Sequence, residues 1–143
     1  MKLATIGYEA ATQAEVIERL KRARVEVVID VRAVAASRRA GFSKTLLAAS
    51  LVDAGIDYVH FRELGTPKPG RDAARKGHVA EMRAIFEDHL AEPGAQLQLA
   101  QATEIAMERK AALLCYEAEA AGCHRRIVAE RIQETTGIEV EDL

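Results

Sequence analysis

The stretch Val25-Glu26-Val27-Val28-Ile29-Asp30-Val31 constrains this chain more than any other. It is β-branched and nearly continuously apolar, the pattern of a strand covered on both faces inside a parallel sheet. A parallel neighbour is reached only through a crossover of a dozen or more residues, usually a helix. Helical patterns flank the run as this requires. Thr12 opens one, with Glu15 in capping-box position and Val16, Ile17 and Leu20 on one face. Ser43 caps another through Leu46, Leu47, Leu51 and Val52, with Gly55 as its stop.

Further strands are predicted at Leu3 to Tyr8, Ile56 to Phe61 and Ala111 to Tyr116, with Ile138-Glu139-Val140 as an edge strand. Val79, Met82, Ile85, Phe86 and Leu90 recur at helical spacing up to Pro93-Gly94, and two more helices are expected at Gln96 to Glu108 and Cys123 to Thr135. At that spacing Met82 and Phe86 read as core. Arg62 to Gly77 has no periodicity and is punctuated by Gly65, Pro67, Pro69, Gly70 and Gly77, so it is expected to be a mobile loop over the strand ends.

Strands alternating with helices imply a single α/β domain over residues 1–143: a three-layer α/β/α fold around a mostly parallel sheet of four or five strands. A chain of 143 residues, 49% of them hydrophobic, buries a core without disulfides or a structural metal. Every apolar run falls far short of the roughly 20 residues of a membrane helix. The amino terminus is too brief and strand-like for a signal peptide, and two cysteines in a Cys-poor chain fit a reducing compartment, so a cytoplasmic location and no membrane partner are expected.

Sheets of this kind bind ligands at the carboxyl ends of their strands. Each predicted strand ends in polar groups: Tyr8-Glu9, Asp30 with Arg32, His60 with Arg62, and Cys115 with Glu117. The net charge is only −2, yet Asp30 to His78 holds nine basic residues against five acidic ones, so an anionic partner should meet the middle of the chain. Arg32 is expected to face such an anion and Asp30 to face an arginine or a substrate hydroxyl; an internal pair of Asp30 with Arg32 or Arg125 is the alternative. Ser37-Arg38-Arg39 before Gly41-Phe42-Ser43 forms a basic loop with one aromatic, compatible with nucleotide stacking.

The strongest local signal is Cys115-Tyr116-Glu117 followed by Cys123-His124-Arg125-Arg126 at the start of a helix. A helix N-terminus favours negative charge, yet this one opens with a histidine and two arginines. A bound phosphate, sulfate or carboxylate would receive backbone N–H groups and guanidinium forks together. The alternative is an internal ion-pair network with Glu117, Glu119 or Asp30. A cysteine in that setting should be acidic, which makes Cys123 a candidate nucleophile, with His124 activating it, Arg125 stabilising developing negative charge and Glu117 as acid or base. Neighbours on a helix point about 100° apart, so Cys123 and His124 can pair only if Cys123 sits at the cap. Cys115 is a second candidate thiol or a small buried hydrophobe. Zinc on Cys115, Cys123, His124 and His60 is disfavoured by the seven residues between the cysteines, and a redox disulfide stays open.

Taken together, Ile6-Gly7-Tyr8, Asp30-Val31-Arg32 with Ser37-Arg38 and Phe42, Gly55-Ile56-Asp57-Tyr58-Val59-His60, and Cys115-Tyr116-Glu117 with Cys123-His124-Arg125 resemble the pattern of domain-of-unknown-function family 488. The chain departs from it at Val34-Ala35-Ala36, where the family commonly has a proline. The resemblance covers nearly the whole chain and implies a small α/β protein, but no reaction. Two function classes fit the residues: a thiol-using enzyme acting on a phosphate-bearing small molecule or nucleic acid, and a noncatalytic module that binds such an anion. A Cys/His metal or redox site is a third reading, and no cofactor is called for.

Overall fold

The computed structural model describes residues 1–143, apart from the side chain of residue 121. Strands β1 (Lys2–Gly7), β2 (Val27–Asp30), β3 (Asp57–His60), β4 (Ala111–Cys115) and β5 (Glu139–Asp142) form one sheet in the order β3-β2-β4-β1-β5, and every adjacent pair is parallel. Helices α1 (Gln13–Arg22), α2 (Lys44–Asp53), α3 (Lys68–Arg75), α4 (Val79–Leu90), α5 (Pro93–Glu108) and α6 (His124–Thr136) connect them. The three-layer α/β/α architecture with a parallel sheet is the fold expected from the strand pattern.

Alternation along the central strands divides the core in two. Ala4, Ile6, Val28, Ala112 and Leu114 pack with Val16 and Leu20 of α1 and Leu47 and Leu51 of α2. Leu3, Val27, Ile29, Leu113 and Cys115 pack on the other face with Ala73 of α3, Met82 and Phe86 of α4, Ala102 of α5 and Ile127, Val128 and Ile132 of α6. All four residues of β2 are buried, which is why the run around it carries no polar alternation.

Local signals act largely as their chemistry dictates. Thr12 and Glu15 form the reciprocal capping box of α1. Ser43 stands at the N-cap of α2, but its hydroxyl makes no cap; it joins the backbone N–H and carbonyl of Ser37, both at 3.1 Å, and closes the 37–43 loop. Helix α5 starts three residues before Gln96, because Pro93 needs no N–H in the first turn. No helix among the described residues is long and apolar enough to cross a membrane.

The expected loop from Arg62 to Gly77 is a correction. It contains a 3-10 turn at Arg62–Leu64 and the eight-residue helix α3, with Leu64, Thr66, Gly70 and Ala73 buried. The helix has no apolar stripe because its inner face is made of small residues. A Cβ on Gly70 would come within 2.4 Å of the Thr66 Cγ2, so the close approach that seats the helix excludes the side chains that reveal periodicity.

The register aligns the strand ends. Asp30 lies opposite His60 and Leu114, and Gly7 opposite Cys115, so the chain leaves β1, β2, β3 and β4 along one rim.

Candidate functional site

A cavity of about 650 Å³ opens at this rim. Tyr8, Glu9 and Arg32 form one part of its wall, Cys115, Tyr116, Glu117, Gly122 and His124 the floor and far side, and Thr66, Arg71, Ala74 and Arg75 the side made by α3 and the turn before it. The position is the one general to parallel sheets, outside the carboxyl ends of the strands.

Its floor holds a sulfur–imidazole cluster. His124 is buried in the first turn of α6, and its Nε2 lies 2.6 Å from the Val31 carbonyl. A carbonyl only accepts, so Nε2 carries the proton and Nδ1 is turned toward the sulfurs. Nδ1 lies 3.7 Å from the Cys115 Sγ and 3.7 Å from the Cys123 Sγ. Cys123 is the N-cap of α6, in extended backbone at φ −124° and ψ 145°, and its sulfur accepts the Arg125 N–H at 3.5 Å. Because it stands at the cap, neighbouring side chains meet in a way that they could not within a helix. The Cys115 thiol donates to Glu117 Oε2 at 3.3 Å. Gly7 makes this packing possible, since a Cβ there would fall 1.6 Å from the Glu117 carbonyl oxygen.

The electrostatics of the cluster run against its burial. For Cys115 the hydrogen bond to Cys123, then burial and the neighbouring negative charges, push the thiol well above its ordinary range. Burial also opposes ionisation of Cys123, but the Cys115 thiol, His124 and Arg125 outweigh it and hold that thiol well below the ordinary range. Burial disfavours His124 charging, yet the Cys123 charge and the Val31 carbonyl raise its pKa. Glu117 is raised by burial and by the adjacent Cys123 charge. The pair of thiols thus loses one proton readily and keeps the second, with imidazolium as counter-ion.

The arginines singled out in the sequence serve the framework. Arg32 gives Nε and Nη2 to the buried Asp30 carboxylate, at 2.9 and 2.7 Å, and Nη1 to the Tyr8 hydroxyl at 3.1 Å and the Phe42 carbonyl at 2.7 Å. Asp30 also accepts the Tyr58 hydroxyl at 2.5 Å. Burial opposes the Arg32 charge, but the Asp30 carboxylate more than restores it. This is the internal Asp30 and Arg32 pair. Arg125 is 1% exposed and donates to the carbonyls of Glu117 and of Ala118, while its Nε has no partner among the described residues. Carbonyls do not neutralise a buried guanidinium, and its charge is among the causes that lower the Cys123 thiol. Arg126 turns outward to Glu130 and Asp142.

Of the other expected residues, Tyr8 lines the cavity, stacks on Phe42 with ring centroids 4.2 Å apart, and meets the edge of Tyr116 at 5.4 Å. Burial raises its pKa. His60 is half-buried beyond the cavity and meets the Arg32 carbonyl through Nε2 at 2.7 Å, steadying the exit from β2. Arg38 is exposed on its loop and does not line the cavity. Neither does Cys123, whereas Cys115 does. Arg71 and Arg75 were not among the expected site residues; their spacing of four in a basic segment was the available signal.

The ligand atoms of Cys115, Cys123 and His124 lie within 4.8 Å of one another, so the same three side chains form a set that a soft metal ion could occupy. His60 is not part of it.

No curated protein and no solved structure matches the chain. The model of one family, described as Domain of unknown function DUF488, matches residues 12–132, which include every strand but the first and last and the whole sulfur–imidazole cluster. The chain belongs to the DUF488 family.

Proposed function

We propose that this protein, in the cytoplasm, binds a phosphate-bearing anionic ligand in the cavity at the strand carboxyl ends and acts on it with a cysteine thiolate. The observation that carries the reading is that both sulfurs address one ring nitrogen of His124, whose other nitrogen is fixed on Val31. A cysteine kept for packing has no use for an imidazole, whereas a thiolate formed beside imidazolium is the usual form of an activated sulfur. Cys115 is the sulfur that meets the ligand, because it lines the cavity. Cys123 and His124 hold the negative charge and its counter-ion behind it, and Glu117 takes the Cys115 proton through their hydrogen bond. Arg125 acts as a positioning residue through the Glu117 and Ala118 carbonyls.

The test is alkylation of the native protein by iodoacetamide, with the modified site mapped by mass spectrometry. Modification at Cys115 that slows in adenosine 5′-monophosphate supports a thiol acting on a bound phosphate compound. Slowing of other probes of the cavity without any reaction at Cys115 would leave a noncatalytic anion-binding module.

A second reading is a metal centre on Cys115, Cys123 and His124, favoured by the closeness of their ligand atoms and by the Val31 carbonyl on the far ring nitrogen, the support metal-bound histidines usually have. It predicts stoichiometric zinc in protein purified without chelator and thiols that react only after chelation; thiols that react at once in metal-free protein overturn it.

A further inference from the structure

Helix α3 occupies a segment whose composition read as loop, and it turns two arginines one turn apart toward the cavity. Arg71 is partly buried, and its Nη1 is tethered to the Thr66 carbonyl at 2.9 Å. It forms no ion pair among the described residues, so Nε and Nη2 remain for a ligand. Arg75 is 71% exposed in its side chain and loosely paired with Asp72 at 3.4 Å. The tether is itself held in place. Gly65 lies so close to the exit from β2 that a Cβ would fall 2.1 Å from the Ala33 backbone nitrogen, and the Gly70 and Thr66 contact seats the first turn of α3. A clamped guanidinium loses little entropy on binding, the condition under which arginine recognises phosphate well.

Other lining residues have the opposite character: Glu9 and Glu117 carry carboxylates, and the Cys115 sulfur meets both Glu117 and His124. Tyr8 and Tyr116 add aromatic surface. Arg32 and Arg125 are committed to the framework, so the cationic wall of the cavity comes from α3.

We propose that Arg71 and Arg75 form the phosphate subsite of this cavity, and that the ligand is a small phosphate monoester of about mononucleotide size whose phosphate sits on α3 while the rest of the molecule reaches toward Cys115. This deepens the reading above and rests on its anion-binding part. The volume of about 650 Å³ falls within the range of about 300–1,000 Å³ typical of small-molecule sites, which favours a free compound over a polymer.

The experiment is calorimetric titration of the full chain with adenosine 5′-monophosphate, adenosine, and a 5′-phosphorylated decanucleotide. The monophosphate should bind and adenosine should bind about tenfold more weakly or worse, since a charge-assisted fork to phosphate is lost. Arg71→Met and Arg75→Met should each lower monophosphate affinity by about fivefold to a hundredfold on the same ground. Arg71→Lys, which keeps the charge and loses the fork, should fall between the wild type and Arg71→Met. Arg75 is exposed, so its replacement keeps the test valid if Arg71→Met fails to fold. Equal binding of adenosine and its monophosphate, unchanged affinity in both methionine variants, or no binding of any probe overturns the subsite. Tighter binding of the decanucleotide overturns the small-molecule assignment. The two readings fail separately: Cys115 can be protected by the monophosphate while the arginine variants bind it normally, and the variants can lose affinity while Cys115 proves inert.

Discussion

His124 donates Nε2–H to the Val31 carbonyl across 93 positions of sequence, at 2.6 Å, and so ties the start of α6 to the end of β2. One hydrogen bond fixes the tautomer of the imidazole, the direction of Nδ1, and the distance between the two segments that carry the sulfurs and the Asp30 and Arg32 pair. The chemistry of the floor depends on it.

Replacing His124 with Gln removes the imidazolium beside the thiols. Each unit of thiol pKa is about tenfold in thiolate at neutral pH. The thiolate absorbance at pH 7, carried by Cys123, should fall by about tenfold or more while the circular dichroism spectrum stays native. An unchanged absorbance would show that His124 only packs against Phe86, whose ring lies 5.2 Å from it.

The thiolate–imidazolium pair also predicts a shape for stability against pH. A raised His124 contributes stability that is complete below its unfolded value of about 6.5 and lost as pH rises through its folded value. A lowered Cys123 contributes stability complete above its unfolded value of about 8.5 and lost as pH falls through its folded value. Between those unfolded values, folded and unfolded pairs hold one proton each, so the contribution is flat there and declines on both sides. The difference between wild type and Cys123→Ser in urea unfolding should show that plateau from about pH 6.5 to 8.5. A difference independent of pH from 5 to 10 would contradict it.

Asp30 is fully buried with Arg32 and Tyr58 on its carboxylate. Asp30→Asn leaves the Arg32 guanidinium without its counter-charge and should cost about 3–5 kcal/mol in urea unfolding. Tyr58→Phe removes one hydrogen bond to a charged acceptor and should cost about 1.5–3 kcal/mol. Losses under about 1 kcal/mol for Asp30→Asn would mean that the pair is open to water.

Gly7 is required by space, because the Glu117 carbonyl occupies the volume of its missing side chain. Gly7→Ala should destabilise by about 1–3 kcal/mol in urea unfolding through overpacking. Native stability would remove Gly7 from the account of the site.

The parts of this molecule legible in its sequence are those whose cause is local. The β-branched run around Val28 announces a central strand, and Thr12 with Glu15 announces the start of α1, because burial on both faces and reciprocal capping leave direct marks. The strand-end residues Tyr8, Asp30, His60 and Cys115 fall on one rim for the same reason. Helix α3 was hidden because its packing face is built from Gly70 and Ala73, which carry no hydrophobic signal. Partner choice was hidden too. Nothing in the order of residues says that Arg32 and Arg125 spend their charge inside the fold, that Arg71 and Arg75 face the cavity, or that Cys115 rather than Cys123 lines it. Those facts belong to directions set by tertiary packing.

The central claim is that the sulfurs at the floor of the cavity share a thiolate at neutral pH. It is tested most directly by the ultraviolet thiolate absorbance of the native chain from pH 5 to 10, with Cys115→Ser and Cys123→Ser measured beside it. The account predicts one thiolate already formed at pH 7, with a midpoint well below the ordinary thiol value of about 8.5, in the wild type and also in Cys115→Ser, because Cys123 is the acidic sulfur. In Cys123→Ser that acidic step should disappear. No thiolate at pH 7, or thiolate that forms only along the ordinary thiol curve in all three proteins, would contradict it.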